Sequence, residues 1–147
     1  MSTINSVIFV CHGNICRSPL AEVIFLDKLK NNGVNNIKVT SAGISGYHEG
    51  EGACEPSLFI AGKHGLDLTG HRAKKIKNSD LNYDLIIAMD KYNYRYLNQS
   101  GAKNLKLLGD YGFNGDDIPD PYFRGNIEKV FNMIKKSIDN LFETEFS

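Results

Sequence analysis

The sequence predicts an α/β fold in which four parallel strands form one doubly wound sheet with helices on both faces. Three observations predict it. Short runs rich in apolar residues recur around Val7–Val10, Ile37 and Val39, Leu85–Met89, and Leu105, Leu107 and Leu108. The segments between these runs are long enough to hold helices, which makes parallel pairing through right-handed crossovers the natural connection. Near the end of the chain, Ile127, Val130, Phe131, Ile134, Ile138 and Leu141 follow the three-and-four spacing of an amphipathic helix.

Taken in order, Val7 to Val10 is uncharged and holds β-branched residues, as a strand covered on both faces requires, and it stops at Cys11. A loop follows, then a helix. Ser18 and Pro19 suit its cap and first position, Glu22 falls in the expected first turn, and Leu20, Val23, Ile24 and Leu29 keep a helical period up to Asn31-Asn32-Gly33. Ile37 and Val39 open a second strand that runs into Ser41-Ala42-Gly43. After the glycine-rich loop GISGYHEGEGACEP, Pro56 starts a short helix that Gly65 closes. HRAKKIKNSDLN is polar and without strong period, so it reads as irregular with one helical turn. Leu85 to Met89 is a central strand, Asp90 caps the helix carrying Tyr92 to Leu97, and Leu105, Leu107 and Leu108 make the fourth strand. A long loop, GDYGFNGDDIPDPYFRGN, leads to the last helix.

The chain has 147 residues, the size of one ordinary domain, and no linker-like or repetitive stretch, so residues 1–147 are expected to share one core. Its 17 Lys+Arg balance its 17 Asp+Glu, with no basic tail, which argues against nucleic acid or an anionic membrane as partner. An anion would have to be captured locally. MSTINSV lacks a charged region followed by a long apolar stretch, and no later segment reaches bilayer-spanning length, so a cytoplasmic protein with no membrane insertion is expected. Three cysteines, Cys11, Cys16 and Cys54, favour reduced thiols over a disulfide framework.

In such a fold ligands bind beyond the carboxyl ends of the strands, where VIFVCHGNICRSPLAE places Cys11. Gly13 permits backbone angles that turn successive amide N–H groups toward one point, the following helix aims its positive end there, and Arg17 adds a planar fork of donors. Together His12, Gly13, Asn14, Ile15, Cys16, Arg17 and Ser18 would form a cradle for a tetrahedral dianion. The same donors favour a thiolate, so Cys11 would attack phosphorus while amides and guanidinium hold the equatorial oxygens. A cysteine and an arginine six apart carry little weight alone. The strand before them, Gly13 between them and the helix start after them give the pair its meaning.

CHGNICRSPLAE resembles the signature of the low-molecular-weight protein tyrosine phosphatases. The likeness continues through SAG at 41–43, GYHEG at 46–50, HR at 71–72, MD at 89–90 and DPY at 120–122, nearly the whole chain. The resemblance implies hydrolysis of phosphotyrosine in proteins, in two steps and with neither metal nor cofactor. Cys11 takes the phosphoryl group while an acid protonates the tyrosine oxygen; the same group, now a base, then activates water to release phosphate from the phosphocysteine.

An acid is needed because a phenolate whose conjugate acid has a pKa of about 10 leaves poorly at neutral pH. Asp120, held between Pro119 and Pro121, is the candidate, and the resemblance assigns the acid to it; by itself an aspartate beside proline equally suits a loop turn. Nothing rigidifies Asp116 and Asp117. The resemblance further implies that Asn14 holds the phosphate loop through a network with Ser41 and His71, although His71 alone reads as a surface histidine in a basic stretch. Ser18 caps the helix, donates to the sulfur, or does both. Asp90 is chiefly a helix cap, with a second role in orienting Arg17.

Tyr47, Tyr122 and Phe123 fall in the two long loops, either as walls for a phenyl ring or as ordinary loop packing. Ile15 would floor the pocket, at a position where relatives that act on phosphoarginine look to carry threonine, which favours phosphotyrosine. Cys16 lies in the same loop as Cys11, and the resemblance implies a reversible disulfide between them, against the plainer reading of Cys16 as a small buried residue. Cys54 has no partner in view. His12, His48 and His64 show no metal-ligand spacing with the cysteines.

The implied partners are phosphotyrosine-bearing proteins and a tyrosine kinase, with the chain a monomer or weak homo-oligomer. An arsenate reductase of similar fold would need two further cysteines near residues 80–90, and SDLNYDLIIAMD has none. A phosphocysteine carrier, or a phosphotyrosine binder without turnover, would be ill served by an acid such as Asp120. A dinucleotide fold would need a glycine fingerprint that is absent here.

Overall fold

The computed structural model describes residues 3–121 and 124–146. In chain order it contains β1 (Ser6–Cys11), α1 (Arg17–Asn31), β2 (Lys38–Gly43), α2 (Glu55–Lys63), a 3-10 turn (Asn78–Asn82), β3 (Leu85–Ala88), α3 (Lys91–Gln99), β4 (Leu105–Leu107), a second 3-10 turn (Leu108–Asp110) and α4 (Arg124–Phe146). The four strands are all parallel in the order β2-β1-β3-β4, as the alternation of strands and helices predicts.

Both faces of the sheet are covered. Val7, Phe9 and Cys11 of β1 point toward α1 and α4 and join Leu20, Ile24, Phe25, Ile134, Ile138 and Leu141 in the larger core. Ile8 and Val10 point the other way, against Leu97 of α3 and Tyr83. This period-two alternation with both sides apolar explains why β1 carries no charge. The apolar stripe on α4 is buried as its spacing predicts. Among the described residues, no helix is long and apolar enough to cross a membrane.

Several boundaries differ from the sequence expectation. α1 begins at Arg17 with Cys16 in the cap position, so Ser18 does not cap it and Glu22 lies beyond its first turn. The reason is tertiary: the Ser18 hydroxyl is engaged by Cys11, 2.9 Å away. α2 starts at Glu55, with Cys54 before it, and α4 starts at Arg124, three residues ahead of its first buried apolar side chain, Ile127. Leu108 leaves the fourth strand for the 3-10 turn, where Gly109 packs so tightly on the backbone of Asp116 that a Cβ there would collide with it. That contact folds the long loop back toward the end of β3, where Ile118 N donates to the Met89 carbonyl at 2.9 Å.

Candidate active site

The loop between β1 and α1 is held by its carbonyls. Those of Cys11 and His12 accept from Ile44 N (3.0 Å) and Ser45 N (2.9 Å), and that of Asn14 accepts from His71 Nε2 (2.7 Å). The Ile15 carbonyl accepts from Cys54 N (2.7 Å) and the Cys16 carbonyl from Ser57 Oγ (3.0 Å). Among the described residues no peptide bond is cis, and in a planar trans peptide the N–H points opposite to the preceding C=O. The amides of His12, Gly13, Ile15, Cys16 and Arg17 are thereby turned to the inner side of the loop. Beneath it, Gly43 comes so close that a Cβ would stand 2.7 Å from the His12 carbonyl oxygen, so no larger residue fits.

Cys11 is buried at the centre of this loop, its sulfur accepting from Asn14 N at 3.2 Å and facing Ser18 Oγ at 2.9 Å. Asn14 is fully buried and has the left-handed φ of 58°, which asparagine tolerates better than most residues. Its Nδ2 donates to Ser18 Oγ and to Ser41 Oγ, both at 2.9 Å, and its Oδ1 accepts from Lys74 N at 2.9 Å. With the Ser18 oxygen accepting from Asn14, the Ser18 hydroxyl proton has two acceptors in reach, the sulfur at 2.9 Å and the Ala42 carbonyl at 3.5 Å, and the sulfur is the nearer. The chain of bonds ends at Glu22, whose Oε1 accepts from Ser41 Oγ at 2.6 Å. Because His71 Nε2 faces a carbonyl, it must carry the ring proton.

Arg17 is 3% exposed and held from two sides: Nη1 donates to Asp90 Oδ2 (2.8 Å) and to the Ile118 carbonyl (2.8 Å). Burial alone would lower its pKa, but Cys11, Asp120 and Asp90 outweigh this and raise it above the ordinary arginine value. Asp90 also caps α3, its Oδ1 accepting from Asn93 N at 2.8 Å, so it makes both contacts that the sequence suggested for it. Asp120 Oδ1 stands 2.9 Å from Arg17 Nε. The Nε–H is not aligned on that oxygen and has no hydrogen-bond acceptor among the described residues, which leaves it available to an anion.

These groups open into a cavity of about 390 Å³ lined by Cys11, His12, Gly13, Ile15, Cys16, Arg17, His48, Asp120 and Pro121. Tyr47 is not among them. It is 84% exposed and rests edge-on against His48, and it is His48 that lies on Gly13 and faces the cavity. Tyr122 and Phe123 lie outside the described residues. Asp117, expected as solvated decoration, accepts from Lys91 N at 2.9 Å and so ties the loop that carries Asp120 to α3. Among the described residues, no group of three His, Cys, Asp or Glu side chains could hold a metal ion.

The cysteine expectation needs correction. Cys16 and Cys54 are joined by a disulfide and only Cys11 is free, so the three thiols are not all reduced and Cys54 has a partner after all. Sequence spacing could not reveal this pairing, because it depends on the loop after β2 folding back onto the phosphate loop through the Cys54 N to Ile15 carbonyl bond. Sequence reading also missed Glu22, His48 and the Lys74 amide. Glu22 looked like a helix-start residue, and main-chain donors leave no mark in residue type.

The family profile described as low molecular weight phosphotyrosine protein phosphatase matches residues 6–145. The low molecular weight protein-tyrosine-phosphatase YfkJ of Bacillus subtilis is 43% identical over 144 aligned residues, covering 92% of each chain. Its crystal structure superposes with a TM-score of 0.88 and 38% identity over 99% of this chain and 98% of that one. PtpA of Staphylococcus saprophyticus, also named a low molecular weight protein-tyrosine-phosphatase, is 39% identical and spans 92% of this chain and 90% of its own. A Drosophila arginine phosphatase superposes with a TM-score of 0.86 at 28% identity, over 100% of this chain and 99% of that one. With the profile matching nearly every residue and two relatives matching along almost their full length, the chain belongs to the low-molecular-weight protein tyrosine phosphatase family and is an enzyme of that class.

Proposed function

We propose that this protein hydrolyses phosphotyrosine in proteins through a phosphocysteine intermediate, without a metal ion. The observation that carries the reading is the loop itself: a buried free cysteine, amides turned inward by carbonyls bonded outward, and a buried arginine with an unsatisfied Nε–H, all facing one cavity that a carboxylate overlooks.

In the first step the Cys11 sulfur attacks phosphorus. The inward amides and Arg17 meet the charge on the equatorial oxygens with donors already in place, and Asp120 protonates the leaving phenolate oxygen. Asp120 is 50% exposed and its carboxylate is paired with Arg17 Nε at 2.9 Å, which sets it beside the place a bound ester would occupy. In the second step Asp120 takes a proton from water, which displaces phosphate from sulfur, while the Ser18 hydroxyl stabilises the departing thiolate. Asn14, Ser41 and His71 keep the loop shape, and Asp90 aims Arg17. Ile15 floors the cavity, which favours a phenyl ring; phosphoarginine, the substrate type named for the Drosophila relative, is the comparison substrate.

We further infer that residues 1–147 act as one catalytic unit in the cytoplasm, as a monomer or weak homo-oligomer, on the phosphoprotein products of a tyrosine kinase. The deciding experiment is turnover of an aryl phosphate, a phosphotyrosine peptide and a phosphoarginine peptide in excess chelator, with Cys11→Ser and Asp120→Ala alongside. Support is activity that survives chelation, is absent in Cys11→Ser and falls by about 10²–10⁴ in Asp120→Ala with poor leaving groups. Loss of turnover in chelator, or binding without hydrolysis, would overturn the proposal.

A further inference from the structure

The Cys16–Cys54 bond carries a consequence for how the site survives oxidation, and it rests on the reading of Cys11 as the nucleophile. A thiol built to attack phosphorus is also the one an oxidant reaches first. Cys11 and Cys16 line the same cavity, and Cys16 is partly exposed there. Cys54 sits behind Cys16 with a Cα–Cα distance of 5.3 Å, inside the range that a disulfide spans without backbone movement. It is held there by its own N–H on the Ile15 carbonyl, and by Ser57, whose hydroxyl donates to the Cys16 carbonyl and lies 3.4 Å from the Cys54 sulfur. Cys54 also occupies the cap position of α2, where unpaired helix amides favour a charged sulfur.

We propose that the three cysteines form a relay that moves a peroxide oxidation off the nucleophile and stores it as the Cys16–Cys54 disulfide, leaving Cys11 free. The Cys11 thiolate attacks hydrogen peroxide; the O–O bond breaks, hydroxide leaves and Cys11 becomes a sulfenic acid. The Cys16 thiolate attacks that sulfur, the S–O bond breaks, and hydroxide leaves with Cys11 and Cys16 joined. The Cys54 thiolate then attacks the Cys16 sulfur and expels the Cys11 thiolate. The protons lost by Cys16 and Cys54 convert both hydroxides to water, so the balance is two thiols and one peroxide giving one disulfide and two waters. The described arrangement, with Cys16 bonded to Cys54 and Cys11 alone, is the end state of this sequence. Two equivalents of a small thiol reverse it by exchange, as suits a transient disulfide in a reducing compartment.

The test starts from fully reduced protein exposed to stoichiometric hydrogen peroxide, with free thiols blocked at intervals for disulfide mapping by mass spectrometry and aryl phosphate turnover followed in parallel. The native chain should lose and then regain turnover as Cys16–Cys54 accumulates. Cys54→Ser should match native turnover within about twofold before oxidation, since substitutions at such positions are usually small in effect. After oxidation it should stop at Cys11–Cys16, with turnover at least ~tenfold below native until a thiol is added. Cys54→Ala gives the same readout should the serine variant fold poorly. In Cys11→Ser, formation of Cys16–Cys54 should slow by about tenfold or more, because the entry point is gone. The relay is overturned if the native chain ends as Cys11–Cys16, if Cys11→Ser forms the Cys16–Cys54 bond as fast as native, or if Cys11 reaches the sulfinic acid equally in native and Cys54→Ser proteins. Turnover measured before any peroxide is added tests the nucleophile assignment separately.

Discussion

Replacing Asn14 with alanine removes one side chain on which the phosphate loop depends at three points. The buried Nδ2 bonds to Ser18 and Ser41 and the partly buried Oδ1 bond from Lys74 N are lost. Each such bond is worth about 1 kcal/mol, and holding alanine at the left-handed φ that Asn14 adopts costs about 1–2 kcal/mol more. The expected total is about 4–5 kcal/mol, drawn from the local order of the loop. Because 1.36 kcal/mol is a factor of ten, the fraction of molecules with a competent loop, and with it kcat, should fall by about 10³ if the network alone holds it.

Asn14→Gly separates the two contributions: it keeps the φ without strain but lacks the amide, and should recover about tenfold of the loss. Steady-state turnover of an aryl phosphate, with thermal unfolding to show that the fold persists, measures both variants. Turnover of Asn14→Ala within about threefold of native would refute the reasoning, since the bonds would then contribute under 1 kcal/mol together.

Three further outcomes follow from the same geometry. Arg17→Lys keeps the charge but cannot reach Asp90, the Ile118 carbonyl and a phosphate oxygen at once, so kcat/KM for an aryl phosphate should drop by about 10²–10³; a drop under tenfold would show that charge alone suffices. Gly43→Ala forces a Cβ against the His12 carbonyl and the Asn14 amide, backbone atoms that cannot step aside, so it should destabilise the fold by about 1–3 kcal/mol and reduce turnover, with urea unfolding as the check. Hydrogen bonds from Arg124 hold the exposed Glu55 carboxyl below its usual value of 4.5. Its folded-state pKa being lowered, the pair's small contribution is present above that pH and is lost as acid protonates Glu55 in the folded protein. Native and Glu55→Gln unfolding temperatures should therefore differ near neutrality and converge in acid, and a gap that persists in strong acid would contradict this.

Much of this protein could be read from residue order because the relevant physics is short in range. A strand covered on both faces must be apolar at every position, so β1 announced itself and its end at Cys11; a helix against a core must repeat its apolar side chains every three or four residues, so α4 did too. Strands spaced by helices left parallel pairing as the natural arrangement, and that put the loop after β1 at the ligand-binding edge of the sheet. What the tertiary structure decided were the contacts between segments far apart in the chain. Ser18 faces a sulfur instead of capping α1, because Asn14 takes its oxygen. Glu22 ends a hydrogen-bond chain that begins near Cys11, because α1 and β2 lie side by side. His48 lines the cavity where Tyr47 was expected, and Cys54 meets Cys16 across a sequence separation of 38 residues, because the loop after β2 folds back onto the phosphate loop. Periodicity and residue type record which face of an element is buried, whereas the partner that buries it is set by where the crossovers land.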